Sequence, residues 1–170
     1  MSLPKGTSPP ARIQIENVWP MLDCGRYPVK RTLGRRVAVW ADIFRDGHEI
    51  LRAAVKYRPV GARAWLQVPM EHTEADRWHG VFEPTGVGRW QFVIEAYVDR
   101  AASWRNELER KVAAGQEDVA SELLEGAALL GVPSLTVDEG LADATKDRSE
   151  VTRGPVLEVD VDRGRASFGA

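Results

Sequence analysis

Val37-Ala38-Val39-Trp40-Ala41-Asp42-Ile43-Phe44 alternates aliphatic residues with mixed ones, and Trp90-Gln91-Phe92-Val93-Ile94-Glu95-Ala96-Tyr97 repeats the pattern. A period of two puts Val37, Val39, Ala41 and Ile43 on one face of a strand and Ala38, Trp40, Asp42 and Phe44 on the other. In the second run, Trp90, Phe92, Ile94 and Ala96 oppose Gln91, Val93, Glu95 and Tyr97 in the same way. One face of each is apolar enough for a core, and the other is partly covered. Runs rich in Val, Ile, Trp, Tyr and Phe on either side predict further strands at 12–18, 50–58, 64–68 and 77–83. The two quoted runs extend over 36–44 and 89–98. Asp46-Gly47, the stretch 59–61 and the stretch 84–88 supply Gly and Pro for turns between them. A two-layer, mainly β antiparallel sandwich buries these faces with the fewest assumptions.

Past Asp99 the period lengthens. Trp104, Leu108 and Val112 fall on one helical stripe that Gly115 would end, with Ser103 as the expected N-cap. A second helix from near Gln116 carries Val119, Leu123, Ala127 and Leu130 and stops at Gly131. Thr136 and Glu139 have capping-box spacing for a third, running to Lys146. From Val151 the chain turns extended again through Val156, Leu157, Val159 and Val161. The expected organisation is a flexible leader at 1–11, a β-sandwich at 12–100, a short helical appendage at 101–147 and an extended linker at 148–170.

The chain has 170 residues, 44% of them hydrophobic and 28% charged, which supports one ordinary folded domain and excludes a disordered tail. Lys and Arg number 23 against 25 Asp and Glu, so no global field draws in nucleic acid or an anionic membrane. A lone cysteine, Cys24, rules out an internal disulfide and a thiolate metal cluster, and fits a reducing cytoplasm. No apolar run approaches the roughly 18 residues of a membrane span, and residues 1–10 lack the apolar stretch of a secretory signal.

Tryptophan occurs at 19, 40, 65, 78, 90 and 104, about one per element. Trp40, Trp78, Trp90 and Trp104 are expected in the core, because each indole buries a large area there. Trp19 and Trp65 lie beside turns, and stay open between core packing and stacking on a sugar. Arg26, Lys30, Arg31, Arg35 and Arg36 cluster around Tyr27, where they could hold phosphate or a nucleic-acid backbone. The net acidity of the chain favours a solvated turn instead. His48, His72 and His79 lack the spacing of a helical metal site. Gly86-Val87-Gly88 resembles half of a phosphate loop, but strand rather than helix follows it. Asp42, Asp46, Glu95 and Asp99 show no pairing for acid–base chemistry, and Cys24 has no nucleophile signature. No catalytic residue, cofactor or metal is assigned.

Several blocks in fixed order carry a resemblance. They are Ile15-Glu16-Asn17-Val18-Trp19-Pro20, Gly25-Arg26-Tyr27-Pro28-Val29-Lys30-Arg31 and Ala41-Asp42-Ile43-Phe44-Arg45-Asp46-Gly47-His48. Tyr57-Arg58-Pro59, Val68-Pro69-Met70, Asp76-Arg77-Trp78-His79-Gly80-Val81-Phe82, Ile94-Glu95-Ala96, Trp104-Arg105 and Ala114-Gly115-Gln116 continue the series. Together, from Arg12 to Gly169, the chain resembles the N-terminal region of bacterial maltose-1-phosphate maltosyltransferases. Arg163 to Ala170 resembles the stretch before the catalytic barrel of that family, so the chain is expected to end at a domain boundary. Cys24 stands where the resemblance leads one to expect a second glycine before Gly25.

The resemblance implies an immunoglobulin-like sandwich followed by helices, which braces the barrel and contributes to a homodimer. The barrel would carry the Asp nucleophile and Glu acid/base for transferring maltosyl units to α-1,4-glucans. Expected partners are therefore the chain's own barrel and a second copy, with an α-glucan as the alternative; no membrane or nucleic acid is expected. Trp19, Arg26, Tyr27, Lys30, Arg31, Trp65 and Tyr97 are the candidates for interface or glucan contact. A glucan-binding sandwich module is the competing function, and a free-standing regulatory or nucleic-acid-binding protein using the basic turn is a third.

Overall fold

The computed structural model describes residues 12–164; the leader expected at 1–11 and the ending Arg165 to Ala170 lie outside the described residues. The chain is mainly β. Its strands are β1 (Gln14–Trp19), β2 (Val29–Thr32), β3 (Val37–Phe44), β4 (Leu51–Pro59), β5 (Leu66–Pro69), β6 (Glu71–His72), β7 (Arg77–Phe82), β8 (Gly88–Val98), β9 (Ser149–Arg153) and β10 (Leu157–Asp162). Its helices are α1 (Arg100–Ala113), α2 (Ala120–Leu130) and α3 (Val137–Ala142).

Two sheets form. One has the order β1-β3-β7-β6, and the other the order β2-β10-β8-β4-β5 with β9 added against β8. β1–β3, β3–β7, β6–β7, β4–β5 and β8–β10 pair antiparallel, and β10 runs parallel to β2. This arrangement is consistent with an immunoglobulin-like sandwich. Alternation carries through as expected: Val37, Val39, Ala41 and Ile43 are buried, while Ala38, Trp40, Asp42 and Phe44 are half-buried on the outer face. From the opposing sheet Phe92 and Tyr57 meet Phe82, with ring centroids 5.6 Å and 4.7 Å away, which closes the core between the layers. Gly80 is the close-approach point. A Cβ there would come within 3.1 Å of both Met70 and Val55.

The chain divides into two compact units. Among the described residues, the first holds 12–46, Ala54–Glu95 and 152–164, and comprises most of the sandwich. The second holds Gly47–Ala53 and Ala96–Val151. Its own core gathers Trp104, Leu108 and Val119, with Leu123, Leu129, Leu130, Leu135, Val137 and Leu141 packed against them. Trp104 donates its indole N–H to the Glu122 carbonyl at 2.7 Å, so the buried ring leaves no orphan donor.

Four sequence expectations change. Asp99, not Ser103, caps α1: its carboxylate accepts the Ala102 N–H at 2.9 Å, and Ser103 sits one turn in, donating its hydroxyl to the Asp99 carbonyl. The third helix has its Thr136–Glu139 capping box but stops at Ala142, because Asp143 is already extended. The basic stretch is not only a turn, since Val29 to Thr32 forms β2 alongside β10. Residues 148–164 are not a linker: β9 and β10 both pair in the larger sheet, and Leu157, Val159 and Val161 are buried.

Candidate functional site

The outer face of the four-stranded sheet carries the most concentrated chemistry of the first unit. Register sets its composition. Trp40 on β3 faces His79 on β7 in the ladder, and His79 in turn faces Glu71 on β6. The Trp40 and His79 rings stack with centroids 4.0 Å apart and planes 30° from parallel. Two pairs further along, on the same face, Asp42 faces Arg77, and the Arg77 guanidinium reaches Asp42 Oδ1 at 3.5 Å and lies 5.3 Å from the centre of the Trp40 ring.

A bulge in β1 brings a second indole onto this face. Glu16 pairs with Asp42 and Trp19 with Trp40, so three steps on β1 span two on β3. Asn17 absorbs the extra residue with φ at 50° and donates its side-chain amide to Asp42 Oδ2 at 2.7 Å. The parity of β1 flips there. Ile15 and Val18 turn towards the core, while Glu16 and Trp19 face outward, and Trp19 is 49% exposed. Without the extra residue Trp19 would point to the opposite face.

Beside this face the β6–β7 loop walls an open hollow of about 740 Å³, lined by Trp40, Asp42, Arg77 and the run Thr73–Asp76. The loop is held by hydrogen bonds within it and to β3. Thr73 N–H and Oγ1 both donate to the Arg77 carbonyl, Arg77 N–H donates to the Glu74 carbonyl, and Ile43 N–H donates to the Asp76 carbonyl at 2.8 Å. The His72 ring nitrogen meets the Ala75 carbonyl, and Ala75 itself has φ at 48°.

The residues singled out from the sequence fall in four places. Trp19 lies on the outer face with the Arg31 guanidinium 5.7 Å from its ring centre, so the fold joins two candidates from different strands. Arg26 lies 5.9 Å from the ring of its neighbour Tyr27 in a turn closed by the Leu22–Tyr27 bridge, and Lys30 is exposed on β2. Trp65 sits apart in the β4–β5 connection, one face taken by the Arg58 guanidinium at 3.9 Å. Tyr97 belongs to the second unit, half-buried beneath Arg148 at 4.9 Å. Trp78, Trp90 and Trp104 are buried as expected, but Trp40 is not in the core: an even position on β3 places it outside. Arg77 and His79 were not singled out as site residues. Their shared parity on β7, matching Trp40 and Asp42 on β3, is the signal that would have grouped them.

Among the described residues no helix is long and apolar enough to cross a membrane. Comparison with known proteins gives a consistent answer. The family profile described as alpha-1,4-glucan:maltose-1-phosphate maltosyltransferase, domain N/S, matches residues 11–134. A protein of that name from Myxococcus xanthus is 51% identical over 120 residues, covering 68% of this chain and 18% of its own length. The Chlorobaculum tepidum protein is 42% identical over 119 residues, covering 70% of this chain and 18% of itself. The one from Rhodospirillum rubrum is 36% identical over 216 aligned positions, taking in 99% of this chain and 31% of its own length. The chain thus spans between about a fifth and a third of the curated relatives it matches.

Proposed function

The chain belongs to the alpha-1,4-glucan:maltose-1-phosphate maltosyltransferase family through its N/S domain, and from that premise we propose that it is a non-catalytic accessory and dimerisation module of a cytoplasmic maltosyltransferase. The whole enzyme would move maltosyl units from maltose 1-phosphate onto α-1,4-glucans in glycogen-like synthesis, with the reactive carboxylates in a barrel elsewhere on the polypeptide. The family match carries this reading. The domain it names accounts for most of the described chain, while the relatives bearing the activity in their names are several times longer. Exposed Leu22, Tyr27 and Leu33 supply apolar area in the first unit for the expected self-contact. A stable interface needs about 800 Å² on each partner.

Two measurements test the proposal. The 170-residue chain is expected to release no phosphate from maltose 1-phosphate in the presence of glycogen; turnover by the chain alone would refute the non-catalytic role. Sedimentation at micromolar concentration is expected to reveal a two-fold species, and a strict monomer overturns the dimerisation role of the isolated chain. A second reading, contact with an α-1,4-glucan, is favoured by the indole-bearing outer face around Trp19 and Trp40.

A further inference from the structure

Resting on that second reading, we infer that the hollow bounded by Trp40, Asp42, Arg77 and the Thr73–Asp76 loop is a binding site for a neutral α-1,4-linked glucan chain. Three observations converge on this ligand class. The first is shape and apolarity. Trp40 is fixed by its stack on His79, and a flat indole held in place suits the C–H face of a pyranose ring. Trp19, directly opposite Trp40 in the ladder, extends the aromatic strip beyond one sugar. At about 740 Å³ the hollow is within the range of small-molecule sites, about 300–1,000 Å³.

The second is hydrogen bonding. Asp42 and Arg77 are only partly covered, with 27% and 41% of their side chains exposed, and they stand side by side. Neighbouring ring hydroxyls can donate to the carboxylate and accept from the guanidinium, a pairing that suits a diol. Asn17 already holds Asp42 Oδ2, so little side-chain freedom is lost when a sugar arrives. The pinned β6–β7 loop acts the same way on the other wall.

The third is charge. Asp42, Glu74 and Asp76 face a single cation, Arg77, within the lining. A phosphorylated sugar or a nucleic-acid backbone meets net repulsion there, whereas an uncharged polyol does not. The site therefore selects the glucan over its phosphorylated donor.

The test is an NMR titration of the complete 170-residue chain with maltoheptaose to about 10 mM, following tryptophan indole and arginine Nε signals. Saturable shifts of Trp40 and Arg77 are expected, with maltose 1-phosphate binding no tighter than maltose. Trp40→Ala and Arg77→Gln should each weaken binding about tenfold or more, while Leu124→Ser on α2 should leave it unchanged. If Trp40→Ala does not fold, the wild-type titration and Arg77→Gln still decide the matter. No saturable shift, shifts confined to Trp65 or to the turn around Tyr27, or preference for the phosphorylated sugar would overturn the site. Shifts at Trp65 or Tyr27 alone would keep glucan contact while moving it elsewhere. Sedimentation of the same samples separates the readings further: a dimer without glucan shifts removes the site and keeps the accessory-module role.

Discussion

A Cβ added to Gly126 would lie 2.0 Å from Cζ2 of Trp104, inside the volume the indole occupies. Helix α2 can approach α1 at this point only because residue 126 has no side chain. Gly126→Ala gains about 1 kcal/mol of helix propensity. Displacing the ring and its hydrogen bond to the Glu122 carbonyl costs more, and the net loss is expected at about 2 kcal/mol. Urea unfolding followed by near-ultraviolet tryptophan dichroism checks it; a stabilised variant would contradict the packing.

Asp99 makes the second unit sensitive to acid. Burial alone would push its carboxyl up, but hydrogen bonds from Ala102 N–H, the Arg52 guanidinium and Asp147 N–H, with the Arg52 charge, bring it below its ordinary value. A lowered folded-state pKa means stability fully present above the ordinary aspartate value of about 3.9 and lost as pH falls through the lower folded value. Asp99→Asn should therefore be about 1 kcal/mol less stable than the parent at pH 7. Urea melts of both proteins at pH 7 and at pH 3 or below should show that gap narrowing on acidification. A constant gap would indicate a purely steric role.

The bulge in β1 predicts a contrast at one position. Asn17→Gly keeps the left-handed backbone and loses the bond to Asp42, for a cost of about 1 kcal/mol. Asn17→Val also strains the backbone, so it should cost about 1–2 kcal/mol more. Denaturant midpoints of the pair give the comparison directly, and equal losses would argue against the bulge.

Cys24 adopts φ of 54° between Asp23 at 49° and Gly25 at 83°. The expected second glycine is therefore absent from a backbone that would suit it. Cys24→Gly is predicted to raise stability by about 0.5–1 kcal/mol, relief of left-handed strain outweighing the added freedom of the unfolded chain. Gly25→Ala should do the opposite, because its Cβ would meet Leu157 Cδ2 at 2.7 Å. Thermal midpoints of the two variants should move in opposite directions.

The strands visible in the sequence are those whose burial alternates. The runs expected at 36–44 and 89–98 form β3 (Val37–Phe44) and β8 (Gly88–Val98), because each has a continuous apolar face. β2 was hidden because only Val29 of its four residues is buried, leaving a cationic stretch with the look of a turn. β10 showed its alternation but not its partners, since strand periodicity says nothing about a mate far away in sequence. Trp40 was assigned to the core because tryptophan content alone does not distinguish an inner from an outer position; its parity with Asp42 does. The bulge at Asn17 had no local signature, so the meeting of Trp19 with Trp40 and of Arg31 with Trp19 required the three-dimensional register.

The insertion of β10 between β2 and β8 also fixes an order of events during synthesis. Neither neighbour can complete its ladder until residue 162 has left the ribosome, by which time both helices of the α1–α2 pair have long been available to fold. Until then, β2 and β8 present open edges to other nascent chains. The last described strand works as a keystone, and replacing Val159 with a charged residue should reveal itself first as lost soluble yield in the cell.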